Sequence, residues 1–153
     1  MKTGFLNQFF KGVAVKRLAS GEINSIVSHQ HEFNVNRSLT RLFGKPEGKI
    51  RYLTKYLYFD GSDENFRELD SVMTWYDARE RNPNRSEYRL YFSAEAEDIM
   101  NLSSAGDSLF LCLKPNDELL LIIAKKDSTI ENQLYYLFDL VPINGRNFES
   151  RLI

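Results

Sequence analysis

The apolar residues of this chain come in short runs, each cut off by a turn, and this spacing constrains the fold more than any other feature. "GVAVKRLA", "IRYLTKYLYFD", "EYRLYFS", "SLFLCLK" and "ELLLIIAKK" are such runs. They are dense in β-branched and aromatic residues, which suit a pleated strand. In "EYRLYFS" the alternation is clean: Tyr88, Leu90 and Phe92 point one way, Arg89 and Tyr91 the other. The intervening "KPEGK", "GSDEN" and "PND" carry the usual turn formers. Strands therefore follow strands. A doubly wound sheet, in which strands alternate with long helices, is disfavoured on that ground.

"HEFNVN" and "ELDSVMTWYDAR" add two further strands, for about seven in total. Short helices are expected in "NRSLTRLFG", with Asn36 as N-cap and Gly44 as stop, and in "SAEAEDIMNLS", with Ser93 as N-cap and acids in its first turn. "STIENQLYYLF" supplies a third. The expected fold is mainly β (α+β), a barrel or sandwich with short capping helices. Its 153 residues are enough for one domain with a core. That domain is expected over residues 1–140. Residues 141–153 fit the core pattern poorly and are expected to form a tail that could link to a further, catalytic domain absent from this chain.

A net charge of −1 carries no global signal for nucleic acid or membrane, so any such signal must lie in how the charge is distributed. The single cysteine, Cys112, rules out an internal disulfide and a cysteine zinc site, and its apolar setting suits a buried packing thiol. The start "MKTGFLNQFFKG" lacks the apolar run of a signal peptide, and no stretch approaches the ~20 apolar residues of a membrane span. The expectation is a soluble, cytoplasmic protein.

Most chemical constellations are absent. His29 and His31 in "SHQH" would need Glu32 to complete even a weak metal clamp. There is no Gly-x-Ser-x-Gly elbow and no phosphate-cradling glycine loop. A metal-dependent nuclease needs one acid, then a second acid and a lysine two apart on a neighbouring strand. Asp107 could be the first acid, but "CLK" has Cys112 in place of the second, and "IAKK" has no acid at all. No catalytic residues, metal ligands or cofactor are assigned. Mg²⁺ would enter only with an attached catalytic domain.

What remains is "WYDARERNPNRSEYRLYF", where Arg79, Arg81, Arg85 and Arg89 outnumber Glu80 and Glu87. Arginine pairs bidentately with guanine and also grips phosphate, and glutamate can accept from cytosine. A second polar stretch, "KRLASGEINSIVSHQ", brings Lys16, Arg17, Asn24, His29 and Gln30. Two such arms could straddle a duplex. Charged hairpin loops that merely keep a protein soluble would look the same at this level.

Both arms resemble the N-terminal effector-binding domain of EcoRII-type (Type IIE) restriction endonucleases. The first arm is similar in its strand ending Lys-Arg-Leu, its Ser/Asn/Gly-rich stretch and its His-Gln. The second is similar in a gap-free register through Tyr76, Arg79, Arg85, Glu87 and Arg89. "LFLCLKPNDELLLIIAKKDSTIEN" resembles the closing strands, so the similarity spans about residues 8–134. It implies a DNA-binding pseudobarrel whose arms enter the major groove of double-stranded DNA, acting as the effector or target-recognition domain of a restriction–modification enzyme. It implies no hydrolysis by this chain itself, cutting being left to a partner catalytic nuclease domain. Arg79, Glu87 and Arg89 are implied base readers. Lys16, Arg17, Arg81 and Arg85 are expected phosphate contacts, and Asn24, His29 and Gln30 could do either. Pro83 and Tyr88 stand where the family is basic. The alternatives are a small Mg²⁺-dependent nuclease and an RNA- or protein-binding β domain.

Overall fold

The computed structural model describes residues 6–23, 31–82, 84–142 and 147–153. Its strands are β1 (Gly12–Arg17), β2 (Glu32–Phe33), β3 (Ile50–Phe59), β4 (Arg67–Asp77), β5 (Tyr88–Phe92), β6 (Ser108–Leu113), β7 (Leu119–Ala124) and β8 (Glu149–Leu152). The helices are α1 (Ser20–Ile23), α2 (Ser38–Phe43), α3 (Glu97–Leu102) and α4 (Thr129–Leu137). All eight strands join one sheet in the order β2-β5-β4-β3-β7-β6-β1-β8. Every neighbouring pair is antiparallel except β3 and β7. The protein is mainly β, with a pseudobarrel-like sheet and a few short helices.

The two faces of the sheet explain the sequence pattern. On β6, Leu109, Leu111 and Leu113 join the interior with Ala14, Leu121, Trp75 and Leu90. The alternate residues Phe110 and Cys112 lie beneath α4 with Val13, Val15, Leu134 and Phe138. β6 is thus buried on both faces, and such a strand reads as a continuous apolar run rather than an alternating one. Along β3 and β5 buried and more exposed residues alternate again. α4 is capped by Ser128, whose side chain accepts the Glu131 N–H at 3.2 Å.

The sheet's two edges, β2 and β8, meet through side chains rather than a ladder. Asn36, three residues beyond β2, donates its side-chain amide to the Phe148 carbonyl at 3.0 Å, and the Ser38 hydroxyl donates to the same oxygen at 2.6 Å. The Ser150 hydroxyl donates back to the Ser38 carbonyl at 2.7 Å. At Gly12, where β1, β8 and α2 converge, an added Cβ would lie 2.7 Å from Leu42 Cδ1 and 3.0 Å from the Arg151 carbonyl. A larger residue there would have to displace the Leu42 side chain and crowd the Arg151 carbonyl.

Several expectations need correcting. Among the described residues there are eight strands rather than about seven. The eighth lies within the expected tail: Glu149–Leu152 pairs with Val15 to Gly12 of β1, so a boundary at residue 140 would separate a strand from its sheet. Asn36 does not cap α2 directly, because Arg37 intervenes in a helical conformation. Ser93 precedes a 3-10 turn, Ala94–Ala96, instead of capping α3, and its side chain makes no capping bond. The start of the first arm holds a helical turn, α1, not anticipated from the sequence. No helix among the described residues is long and apolar enough to cross a membrane.

Candidate nucleic-acid interface

The second arm is the β4–β5 hairpin. Its strands pair from Met73↔Phe92 to Asp77↔Tyr88, and Asp77 closes the neck. One oxygen of Asp77 accepts the backbone N–H of Arg79 at 2.9 Å and that of Glu87 at 2.8 Å. These bonds, that from Glu87 foremost, hold its carboxyl below the usual carboxylate range. At the tip the Asn82 side chain accepts the Asn84 N–H at 3.1 Å, and its carbonyl accepts the Arg85 N–H at 3.2 Å. Pro83 itself lies outside the described residues.

Glu87 organises the expected readers. It accepts from Arg79 Nε at 3.1 Å on one oxygen and from Arg89 at 3.2 Å on the other. Arg79 and Arg89 together hold its carboxyl below its ordinary value. Arg89 also lies 3.7 Å from Glu32 on β2. Arg81 and Arg85 are exposed and have no carboxylate partner among the described residues.

Beside Arg89, the outer face of β4 and β5 carries Tyr76 and Tyr91, with hydroxyls 3.1 Å apart and rings stacked at 5.5 Å. Burial, aided by the bond to Tyr91, pushes the Tyr76 hydroxyl up to about 12, so it remains a donor at neutral pH. On the inner face Tyr88 stacks on Trp75 at 5.4 Å, which gives a packing reason for an aromatic where the resembling family is basic.

The first arm leaves β1 at Arg17, passes through α1 and returns at His31. Asn24, His29 and Gln30 lie outside the described residues. Lys16 and Arg17 are corrected. Lys16 is fully buried: its ammonium meets Glu22 at 2.5 Å and lies 5.3 Å from the Phe148 ring centre. Arg17 turns to the opposite face, where it donates to Glu131 at 2.7 Å, Ser108 at 3.2 Å and the Gly106 carbonyl at 3.0 Å. The period of two along β1 sends neighbours to opposite faces, and both faces of β1 are buried, so neither cation is presented to phosphate.

The two arms meet the sheet at opposite ends of β5. The second arm enters β5 at Tyr88. The first arm's return, His31, accepts the Phe92 N–H at 2.9 Å, and Glu32 pairs with Tyr91. Four residue steps of about 3.3 Å separate the ends by roughly 13 Å.

Comparison with solved structures places this architecture. The N-terminal domain of Helicobacter pylori LlaJI.R1 superposes with a TM-score of 0.59 at 13% identity, over 93% of this chain and 98% of that one. The two chains share a fold. No family model and no curated protein matches the sequence.

Other candidates settle into structural roles. Asp107, the acid considered for a nuclease, is buried and accepts the backbone N–H groups of Ser104 at 2.8 Å and Lys126 at 3.0 Å, tying two loops together. Cys112 is buried, which pushes its thiol far up. Among the described residues no group of three His, Cys, Asp or Glu could hold a metal ion. His31 sits 3.5 Å from Glu97 and 5.4 Å from the Phe92 ring.

Sequence reasoning missed that the turn before β3 contacts the hairpin. Glu80 of the hairpin accepts the Gly48 N–H at 3.1 Å, and Lys49 lies over the Tyr76 ring at 5.1 Å. "KPEGK" was read only as a turn; its two lysines were the available signal, but their nearness to an arm about 30 residues away is a tertiary fact.

Proposed function

We propose that this chain binds double-stranded DNA sequence-specifically through its two arms, as the recognition domain of a restriction–modification system. One observation carries the reading: a five-residue strand, with half-buried Arg89 and Tyr91 on its outer face, is flanked at its two ends by the arms. Their separation of about 13 Å is close to the ~12 Å width of the major groove. The similarity of fold to a domain of a restriction–modification protein supports it, as does the resemblance of both arms to EcoRII-type effector domains. In this reading Arg79, Glu87 and Arg89 read base edges, with Arg–Glu pairs suited to G·C, while Arg81 and Arg85 anchor phosphates. The function is binding. Hydrolysis, and any Mg²⁺ it needs, would belong to a partner nuclease domain, and the setting would be a prokaryotic cytoplasm.

Selection of bound duplexes from a random pool, followed by sequencing, tests this. A defined motif containing G·C pairs is expected. A pool that stays random, or tighter binding of single strands or RNA in competition, would overturn it. Robust Mg²⁺-dependent cutting of plasmid by this chain alone would overturn the assignment of cleavage to a partner.

A further inference from the structure

Cations unpaired among the described residues gather on one flank of the second arm. Arg37, just before α2, Lys45, just after it, and Arg85, in the hairpin loop, line one open concavity of about 730 Å³ together with Asn84 and Ser86. All three cations are exposed. Lys11, Lys55, Arg79 and Arg151, by contrast, are taken up by Asp117, by Asp70 and Glu68, by Glu87 and by Asp139.

Three contacts bring the group together. The Trp75 indole donates to the Gly44 carbonyl at 3.1 Å. Phe43 packs on Trp75 at 5.4 Å, and Trp75 stacks on Tyr88 at the foot of the hairpin. The end of α2 is thereby fixed beside the arm. The carboxylate lining the concavity, Glu87, has Arg79 and Arg89 on its two oxygens, which offsets its repulsion of an incoming anion. Like charges held together with no counter-anion favour an anion between them.

We propose that Arg37, Lys45 and Arg85 form a seat for backbone phosphates of DNA, extending the footprint beyond the arm tip. This rests on the DNA-binding reading and names a part of it that carries affinity without reading sequence. The concavity is far larger than one phosphate group, so it takes a stretch of backbone.

The test is fluorescence anisotropy of the full chain on two labelled duplexes, one carrying the selected motif and one scrambled, across a salt series. R37A/K45A should weaken both duplexes by the same factor, keep the preference between them, and reduce the slope of log K against log salt by about 1–2, at ~0.9 per phosphate contact. R37K/K45R, which keeps the charge, should retain most of the slope. K11A/K114A, which removes two cations beside the β6–β7 turn, should leave the slope near wild type. Wild-type affinity and slope in R37A/K45A, or equal losses in K11A/K114A, would overturn the seat and leave the arms untouched. If wild type binds both duplexes equally and R37A/K45A still flattens the slope, the seat stands and sequence-specific reading fails. If wild type binds neither duplex at low salt, both fail.

Discussion

The Lys16 ammonium meets the Glu22 carboxylate at 2.5 Å inside the barrel, with neither side chain more than 2% exposed. Glu22 also accepts the backbone N–H groups of Ala19 and Asn34, each at 2.7 Å. One buried pair thus ties β1 to α1 and to the residue after β2, the two roots of the first arm. Removing one partner of a buried pair leaves an uncompensated charge, at a cost of about 3–5 kcal/mol. Lys16→Met should therefore lower the unfolding free energy measured in urea by about that much, whereas K16M/E22Q, which removes both charges and keeps a side-chain acceptor for the Ala19 and Asn34 N–H groups, should recover part of it. Equal losses in the single and double variants would sink the account.

Glu87 should stay ionised well into acid. Its folded pKa is depressed by Arg79 and Arg89, so the contribution of the cluster is complete above the unfolded carboxylate value, near 4.3, and is lost as pH falls through the lower folded value. The Glu87 side-chain carboxyl resonance followed by NMR should titrate with a midpoint below the ordinary glutamate value. In Arg79→Ala the transition should move upward. Duplex preference at one base pair should relax in the same variant, by about 1–3 kcal/mol.

Asp77→Ala leaves two backbone N–H groups at the hairpin neck without their acceptor. Amide exchange at Arg79 and Glu87 should accelerate by roughly a factor of 5, for a bond worth about 1 kcal/mol, while β6 and β7 amides stay protected. Uniform acceleration across the sheet would mean that Asp77 holds more than the hairpin.

Arg81 is exposed at the hairpin turn and should act as an anchor. Arg81→Ala is expected to weaken every duplex alike and to lower the salt slope by about 1. A loss confined to one sequence would make it a reader instead.

Cys112 should resist iodoacetamide in the native protein, since burial shields the sulfur and pushes its thiol up. Mass spectrometry should find it alkylated only as urea unfolds the chain. Rapid native labelling would show that the sheet opens beneath α4.

Much of this molecule could be read from local pattern. The long strands, the turn at Asn82–Asn84, the alternation of β5 and the buried character of Cys112 follow from periodicity and turn chemistry, which act over a few residues. β8 escaped because a four-residue strand with little apolar content is specified by its partner β1, almost the whole chain away. Lys16 and Arg17 were misread for the related reason that a cation in sequence does not disclose its counter-ion: Glu22 stands close by, but Glu131 is more than 100 residues distant.

The sequence by itself determined that strands follow strands, that no long helix interrupts them, and that arginines crowd one hairpin. Only the tertiary structure decided which cations face out. It turned Lys16 and Arg17 inward and held Arg79 and Arg89 on Glu87. It also drew Arg37 and Lys45 to the flank of a loop about 40 residues away. The physical reason is one of range. Propensity and alternation depend on neighbours along the chain, whereas charge pairing depends on distance through space, and that distance exists only once the sheet has curled and its edges have met.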